Sequence, residues 1–551
     1  MTNQNSIFNN SAAKPRLVQM TEELVLRISD ARTAEICGRV LAQQAEGSVC
    51  LPLTPEECEI VKDSPAVSFP PDDSGLFILD GDLLFTRRYW KYEQAVRDTI
   101  LRLASCHYSD APQISRDGAL ASMKNCQLQG VRIMCENQFS LLTGGPGTGK
   151  TYTIARAVKL IQDQFPDLRL GLAAPTGKAA ARVRESMERE IQTLQLRTVM
   201  ETSTIHTLLK SNYDLVTFQH NHDNPLPLDW LIVDEASMVD LPLMAKLLDA
   251  LSPDCRLTLV GDANQLASVE PGRVFGDLCK MPELKHCKCE LTESSRFPER
   301  NPDGTPGEIF SLAEAVKAGQ ADQTLAQLHS NGKLVHYLEL DNRTKPSLWP
   351  NFTSNIQALF ADFRRQTTPE GALLAMKDAN GKEMRGPALN DCRLLCAFRH
   401  GPFGVEAINK YIRELLGKDC PLPMMITKNE PSLNVNNGDV GVVMPGEPGF
   451  LYLPTASGTV RKIPLELMPE MEMAFATTVH KSQGSEFDNV IIILPPEASG
   501  DEVGRGAAIL TREILYTAIT RTKGSLFIYS GDNTIRQCCE NIITRSTALL
   551  R

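Results

Sequence analysis

The chain has 551 residues, room for about three to four domains at roughly 150 residues each. With 57 Lys+Arg against 67 Asp+Glu the formal charge is −10, and 42% hydrophobic with 23% charged residues is an ordinary soluble composition. That balance excludes a histone-like or polybasic-tail nucleic-acid binder, whose affinity comes from counterion release, but it leaves room for a local basic groove.

From the N-terminus, Met1 to about Arg16 is mostly polar and is expected to be poorly ordered. It lacks the basic-then-apolar pattern of a secretory leader, and no apolar run of about 18 residues follows anywhere, so a cytoplasmic protein without a membrane span is expected. A helical stretch begins near Thr21. In Leu76 to Phe85, Asp80-Gly81 sits between two apolar runs and predicts a hairpin, because the turn needs positive φ; a helix is expected from Arg87. Residues 1–115 read as one small N-terminal domain.

After about Gln127 the pattern becomes apolar strand, Gly-rich or polar turn and helix, repeated, which predicts an α/β fold with parallel sheets. Seven strands are expected: Phe139 to Thr143, Arg169 to Ala174, Trp230 to Val233, Arg256 to Val260, Arg393 to Phe398, Val490 to Leu494 and Ser525 to Ser530. Seven exceed one typical sheet, so two α/β domains are expected, 116–297 and 298–551, divided at the Pro- and Gly-rich stretch that starts at Pro298. Short runs punctuated by Pro, Gly and Asn over about 421–473 predict a small β-barrel inserted into the second.

Gly144-Gly145-Pro146-Gly147-Thr148-Gly149-Lys150-Thr151 fits G-x-x-x-x-G-K-[ST] and lies between a strand and a helical run, the setting the motif needs. Its backbone N–H groups can close around phosphate oxygens at a helix N-terminus, Lys150 can reach the β/γ-phosphates, and the Thr151 hydroxyl can bind Mg²⁺. A second anchor for the metal and a base for water are then required. Asp234 and Glu235, at the end of the strand Trp230 to Val233, are the residue types for these two tasks, so an ATPase or GTPase is expected. Arg296 and Arg521 are candidate cations for the transferring phosphoryl group, though each taken alone reads as a surface arginine. The fifteen cysteines contain no Cys-x-x-Cys pair, and the tightest group, Cys279, Cys287 and Cys289 with His286, reads as idle thiols rather than a zinc site.

The ordered motifs carry a resemblance. They are Thr143 to Thr151, Ala173 to Ala180, Ser203 to Leu209, Asp234 to Met238, Gly261 to Leu266, Leu291 to Arg296, Thr477 to Glu486 and Tyr516 to Lys523. In this order the sequence resembles the superfamily 1 DNA helicases and, within them, the RecD family of exodeoxyribonuclease V (RecBCD) subunits. The resemblance implies two RecA-like P-loop motor domains, ATP and Mg²⁺ as cofactors, single-stranded DNA and duplex ends as substrates, and RecB and RecC as partner subunits. It also implies 5′→3′ travel, which physics does not supply. By position, Gln127 is similar to the adenine-reading glutamine, with Gln129 as a competitor. Gln265 is similar to the γ-phosphate sensor, Arg296 and Arg521 to the arginines that clamp that phosphate, and Glu486 to the residue that holds the ribose. Thr176, Lys178, His206, Thr478 and His480 fall in motifs that touch single-stranded DNA in the family, whereas a bland reading makes the two histidines core residues.

The resemblance further implies a small strand-splitting hairpin near 211–228, a barrel of the Src-homology 3 (SH3) type over 421–473, and a docking role for the N-terminal domain. Stand-alone RecD-like helicases carry a longer N-terminal extension, so the complex-bound subunit is the expected form. Asp254 with Glu283 and Lys285 formally fits a nuclease pattern, but both pieces lie inside the motor core, and nuclease chemistry is expected in a partner subunit.

Overall fold

In the computed structural model, which describes residues 15–196, 201–211, 217–294, 296, 307–330, 332–340, 345–377, 383–455, 458–496 and 509–551, the strands fall into five sheets. Most of the segment expected to be poorly ordered, 1–14, lies outside the described residues.

Helices α1 (Arg16–Leu26) and α2 (Ala31–Ala45) pack beside the first sheet, and Asp30 caps α2 by accepting from the Arg32 and Thr33 amides. That sheet has the order β1 (Cys50–Pro52), β4 (Leu83–Thr86), β3 (Phe77–Asp80), β2 (Val67–Ser68). The expected hairpin is β3 and β4. Its register pairs Asp80 with Leu83, so the turn residues are Gly81-Asp82, one position later than the sequence suggested. Gly81 has φ +64°, as the first position of a tight primed turn requires. Helix α3 (Arg87–Ala104) follows, and Trp90 donates to Asp80 at 3.0 Å, tying the helix to the hairpin.

The next sheet is parallel, in the order β10 (Lys288–Leu291), β5 (Phe139–Gly144), β9 (Arg256–Gly261), β8 (Trp230–Val233), β6 (Leu170–Ala174), β7 (Glu201–Thr204). Helices α4 (Asn125–Glu136), α5 (Lys150–Gln164) and α6 (Gly177–Leu194) belong to this layer. A short hairpin joins β12 (Met376–Lys377) and β13 (Glu383–Arg385). The second parallel sheet has the order β11 (Val335–Glu339), β22 (Leu526–Ser530), β21 (Asn489–Ile493), β14 (Cys392–Cys396), β20 (Ala476–Thr478). Both are RecA-like α/β layers. All seven strands expected from sequence are interior strands of these sheets, and the four that were missed, β7, β10, β11 and β20, are their edges. An interior parallel strand is covered on both faces and must read as an apolar run; an edge strand such as Glu201–Thr204 need not.

Between β14 and β20 the chain builds an antiparallel sheet from β15 (Leu422–Ile426), β16 (Val440–Val443), β17 (Phe450–Pro454), β18 (Val460–Pro464) and β19 (Met471–Met473). Its order, β18-β17-β16-β15-β19, is that of an open sheet among the described residues. Near 211–228 the described part has two antiparallel bridges, Ser211 with Phe218 and Asn221 with Asn224, and residues 212–216 lie outside the described residues.

Helices α7 (Arg512–Ile519) and α8 (Asp532–Glu540) close the second α/β layer. Residues 541–551 then return to the N-terminal sheet: the Val49 amide donates to the Ser546 carbonyl at 2.9 Å, and the Ala548 amide to Glu93 Oε1 at 3.0 Å. Glu93, on α3, is 1% exposed, and burial pushes its carboxyl from the ordinary 4.5 up to about 7 against the pull of its Thr547 and Ala548 partners.

A raised carboxyl in the folded state binds a proton that the unfolded chain has already released, so stability falls as pH rises from about 4.5 to about 7 and is level beyond. Glu93→Gln keeps an acceptor for the Ala548 amide and removes the titration. The variant's thermal midpoint relative to wild type should therefore rise between about pH 5 and about pH 8. A difference independent of pH would show that Glu93 ionises normally.

Candidate active site

The loop after β5 runs from Gly144 to Gly149, and α5 begins at Lys150. Gly147 and Gly149 have φ +76° and +84°, and neither could carry a side chain: a Cβ on Gly147 would lie 2.4 Å from Arg296 Cβ, and one on Gly149 2.6 Å from Gln127 Nε2. Gln127 is buried, donates to the Thr148 carbonyl at 3.2 Å and accepts from the Lys124 amide at 3.1 Å, whereas Gln129 is exposed. Of the two candidates, Gln127 is the one at the loop. Ser294 donates to the Pro146 carbonyl at 2.9 Å, so the segment leading to Arg296 lies along the same loop. Lys150 Nζ donates to the Gly144 and Gly145 carbonyls at 2.7 and 3.2 Å, and Thr148 donates to Gly145 at 2.9 Å.

Asp234 is 8% exposed at the end of β8 and accepts from the Glu235 amide at 2.8 Å. Burial, then the charge of Glu235, raises the Asp234 carboxyl, while Lys150 lowers it. Glu235 itself sits at φ +51°, a conformation uncommon outside glycine and associated with functional sites. Buried Asp234 and half-buried Glu235 near one lysine, together with the Thr151 hydroxyl at the start of α5, are a hard-oxygen donor set of the kind Mg²⁺ takes. The residues present fit a magnesium triphosphate.

Across the cleft, α7 presents Glu513, Tyr516, Thr517 and Thr520 on one face, followed by Arg521. Arg521 is 2% exposed and all its donor groups are engaged: Nη2 with Gln265 Oε1 at 2.7 Å, Nη1 with the Ser485 carbonyl and Nε with the Thr517 carbonyl, both at 3.2 Å. Gln265 Nε2 donates to Asp262 at 3.2 Å, and the Tyr516 hydroxyl donates to the same Asp262 oxygen at 3.0 Å. The Leu266 amide donates to Thr517 at 3.0 Å, and Gln483 donates to the Leu266 carbonyl at 3.0 Å. A Cβ on Gly145 would lie 3.1 Å from the Tyr516 hydroxyl, so this tyrosine also touches the glycine-rich loop.

Glu486 accepts from Arg296 at 2.8 Å and from Arg182 on α6. Burial, then Arg182 and Arg521, pushes the Arg296 guanidinium down to about 10, so three arginines share the cleft. The position compared with a ribose-holding residue is thus a carboxylate ion-paired to two of them. Sequence reasoning singled out neither Tyr516, Asp262 nor Arg182. The first two lay inside recognised motifs, and Arg182, four residues after Lys178, carried only its helical spacing as a signal.

On the other face, Thr176 caps α6 by accepting from the Ala179 amide at 3.2 Å. Lys178 is half-buried; burial and Arg393 lower its ammonium, and Asp439 of the inserted sheet raises it. His206 is exposed with its ring centroid 5.9 Å from that of Phe218, which rules out the core reading for this histidine. Thr478 accepts from the Lys481 amide at 3.3 Å, and half-buried His480 is lowered by burial and then by Arg545.

Elsewhere, Cys279, Cys287 and Cys289 are buried free thiols pushed up to about 12, 11 and 12 by desolvation, and His286 lies 3.0 Å from the Ala104 carbonyl. Asp254, Glu283 and Lys285 are exposed, the first in a turn before β9 and the other two in a 3-10 helix (Pro282–Cys287) before β10. Among the described residues no helix is long and apolar enough to cross a membrane.

Residues 127–271 match the AAA domain model and residues 473–529 the UvrD-like helicase C-terminal domain model. The RecBCD enzyme subunit RecD of Mycolicibacterium smegmatis is 35% identical over 509 residues, which cover 88% of this chain and 84% of that protein. The RecD subunit of Haemophilus influenzae is 32% identical over 488 residues, covering 76% and 71%. The ATP-dependent RecD2 DNA helicase of Deinococcus radiodurans is 30% identical over 414 residues, covering 73% of this chain and 47% of that protein. With both motif sets meeting at one cleft and similarity at this level over most of both chains, the chain belongs to the RecD family.

Proposed function

We propose that the chain is an ATP-dependent 5′→3′ translocase and helicase on single-stranded DNA, acting in the cytoplasm with RecB and RecC subunits in double-strand break repair and recombination. The observation that carries the reading is the link Arg521–Gln265–Asp262–Tyr516, which joins the two α/β layers beside the glycine-rich loop. In this reading residues 1–115 dock the subunit, 116–297 and 298–551 are the motor domains, 211–228 splits the duplex, and 421–473 is an SH3-like insert. A stand-alone helicase is the competing form; the 35% identity to the Mycolicibacterium smegmatis RecD subunit over 84% of its length, against 30% over 47% for the RecD2 helicase, favours the subunit.

Gly144, Gly145, Pro146, Gly147, Thr148 and Gly149 cradle the phosphates, Lys150 turns from its loop carbonyls to the β/γ-phosphates, and Gln127 meets the adenine. Thr151 and Asp234 are the residues that would hold Mg²⁺, which would supply positive charge to the triphosphate. Glu235 orients the attacking water and takes its proton. Arg296 and Arg521 place positive charge at the γ-phosphate from across the cleft, and Gln265 reports its presence to the DNA groove. Glu486 keeps Arg296 oriented and reaches the ribose. Thr176, Lys178, His206, Thr478 and His480 hold the sugar-phosphate backbone without reading bases, as a motor needs. Closing and opening of the cleft then moves one DNA grip against the other.

ATP turnover by the purified chain, with and without single-stranded DNA, tests the reading. Lys150→Ala should abolish turnover while the far-ultraviolet circular dichroism stays that of wild type; DNA-stimulated hydrolysis that survives it would refute the assignment. Arg521→Ala should lower kcat by about 10³-fold or more, with a much smaller change in the Kd of a non-hydrolysable ATP analogue. Equal losses in both would make Arg521 a structural arginine. Failure to co-purify with RecB and RecC would remove the partner half of the proposal and leave the motor half standing.

A further inference from the structure

Segment 541–551 does more than bond to the N-terminal unit. On its way from α8 it crosses the loop 262–273, which carries Gln265. Its Ile543 amide donates to Glu513 Oε2 at 3.2 Å; Glu513 Oε1 accepts from Arg273 at 3.3 Å, and Arg273 in turn donates to the Ala263 carbonyl at 2.9 Å. Two residues later, one guanidinium meets three carbonyls of that loop: Arg545 donates to Ser268 O at 2.7 Å, Gly272 O at 3.0 Å and Glu270 O at 3.2 Å. Ser268 Oγ donates to the Gly272 and Glu270 carbonyls at 2.8 and 2.9 Å, closing the same turn from inside.

The N-terminal unit meets this turn as well. The Gly272 amide donates to the Gly47 carbonyl at 3.0 Å, and a Cβ on Gly47 would stand 2.6 Å from Arg545 Cζ. The neighbours Ser48 and Val49 bond to Ser546. Arg545 is thus the point where the N-terminal unit, the segment that follows α8 and the sensor loop converge, and its charge is also felt by His480. A backbone turn held by several bonds to one side chain has a single register, and the side chains projecting from it are fixed accordingly.

We propose that Arg545 is a positioning residue for ATP hydrolysis: it holds the loop 262–273 in the register that presents Gln265 to Arg521, so that seating of the N-terminal unit is transmitted to the nucleotide cleft. The proposal rests on the reading of that cleft as an ATPase.

Arg545→Ala and Arg545→Lys in the full chain test it by two readouts. In Arg545→Ala, kcat of single-stranded-DNA-stimulated ATP hydrolysis should fall about tenfold or more with the KM for ATP nearly unchanged. Hydrogen exchange at the Leu266 and Gly272 amides should quicken by about tenfold while amides of α5 keep wild-type protection. Arg545→Lys, which keeps the charge but offers one compact donor group in place of the fork, should recover part of both. Wild-type kcat with wild-type protection at Leu266 and Gly272 would overturn the proposal. So would a parallel loss of protection in α5 with kcat and KM moving together, which marks a purely structural arginine. A wild-type chain that turned over no ATP would sink the ATPase reading instead, and the exchange readout would still decide whether Arg545 holds the loop.

Discussion

A guanidinium buried between two domains is tolerable only when each of its donors is met, and Arg521 is the one on which this molecule turns. Its partners are two carbonyls from its own side of the cleft, Thr517 and Ser485, and one side chain from the other, Gln265. Losing the last would leave one donor of a buried cation unmet, a cost of about 1.5–3 kcal/mol for a hydrogen bond to a charged group. The cleft therefore cannot slide by small amounts. It is either engaged, with Gln265, Leu266 and Tyr516 all in register along one face of α7, or opened enough for water to reach Arg521. A two-position joint of this kind is what a stepping motor requires.

The same concentration of charge explains how a chain with a net charge of −10 manages anionic ligands. The cations that matter are not spread over the surface but gathered where Arg182, Arg296 and Arg521 share a cleft, with Asp234, Glu235 and Glu486 among them. Arg182 and Arg521 both lower Arg296, and Arg521 lowers Arg182, so the cluster favours an incoming polyanion more than any of its members would alone. Glu486 balances the cluster, which keeps the arginines paired without neutralising all of them.

How much of this was legible in the sequence follows from where physics leaves a one-dimensional trace. Strands covered on both faces, such as Val490 to Leu494, must be apolar runs and were found; edge strands such as Lys288–Leu291 and Ala476–Thr478 carry no such obligation and were missed. The glycine-rich loop was readable because Gly147 and Gly149 are imposed by steric contact, and Asp234 and Glu235 because a charged pair at the end of a buried strand is costly without a task. Arg182, Arg273 and Arg545 were not readable. Each is an ordinary arginine in its local sequence and acquires meaning only from a partner, Glu486, Glu513 or the Ser268 carbonyl, that the fold brings from far along the chain. Gln127 against Gln129 could not be separated by spacing, and one turn of α4 decided it by burying the first and exposing the second.

The bond between Glu93 and the Ala548 amide spans 455 residues of sequence. At a synthesis rate of about 5–20 residues per second, the emerging N-terminal unit waits roughly 20–90 s for the segment that covers Glu93. Through that interval the carboxyl stands in water and ionised, so the unit remains an unfinished surface while both motor layers are made. Burial of one glutamate thereby records the meeting of distant segments: only a molecule whose segment 541–551 has docked can present a closed N-terminal unit to anything that binds it.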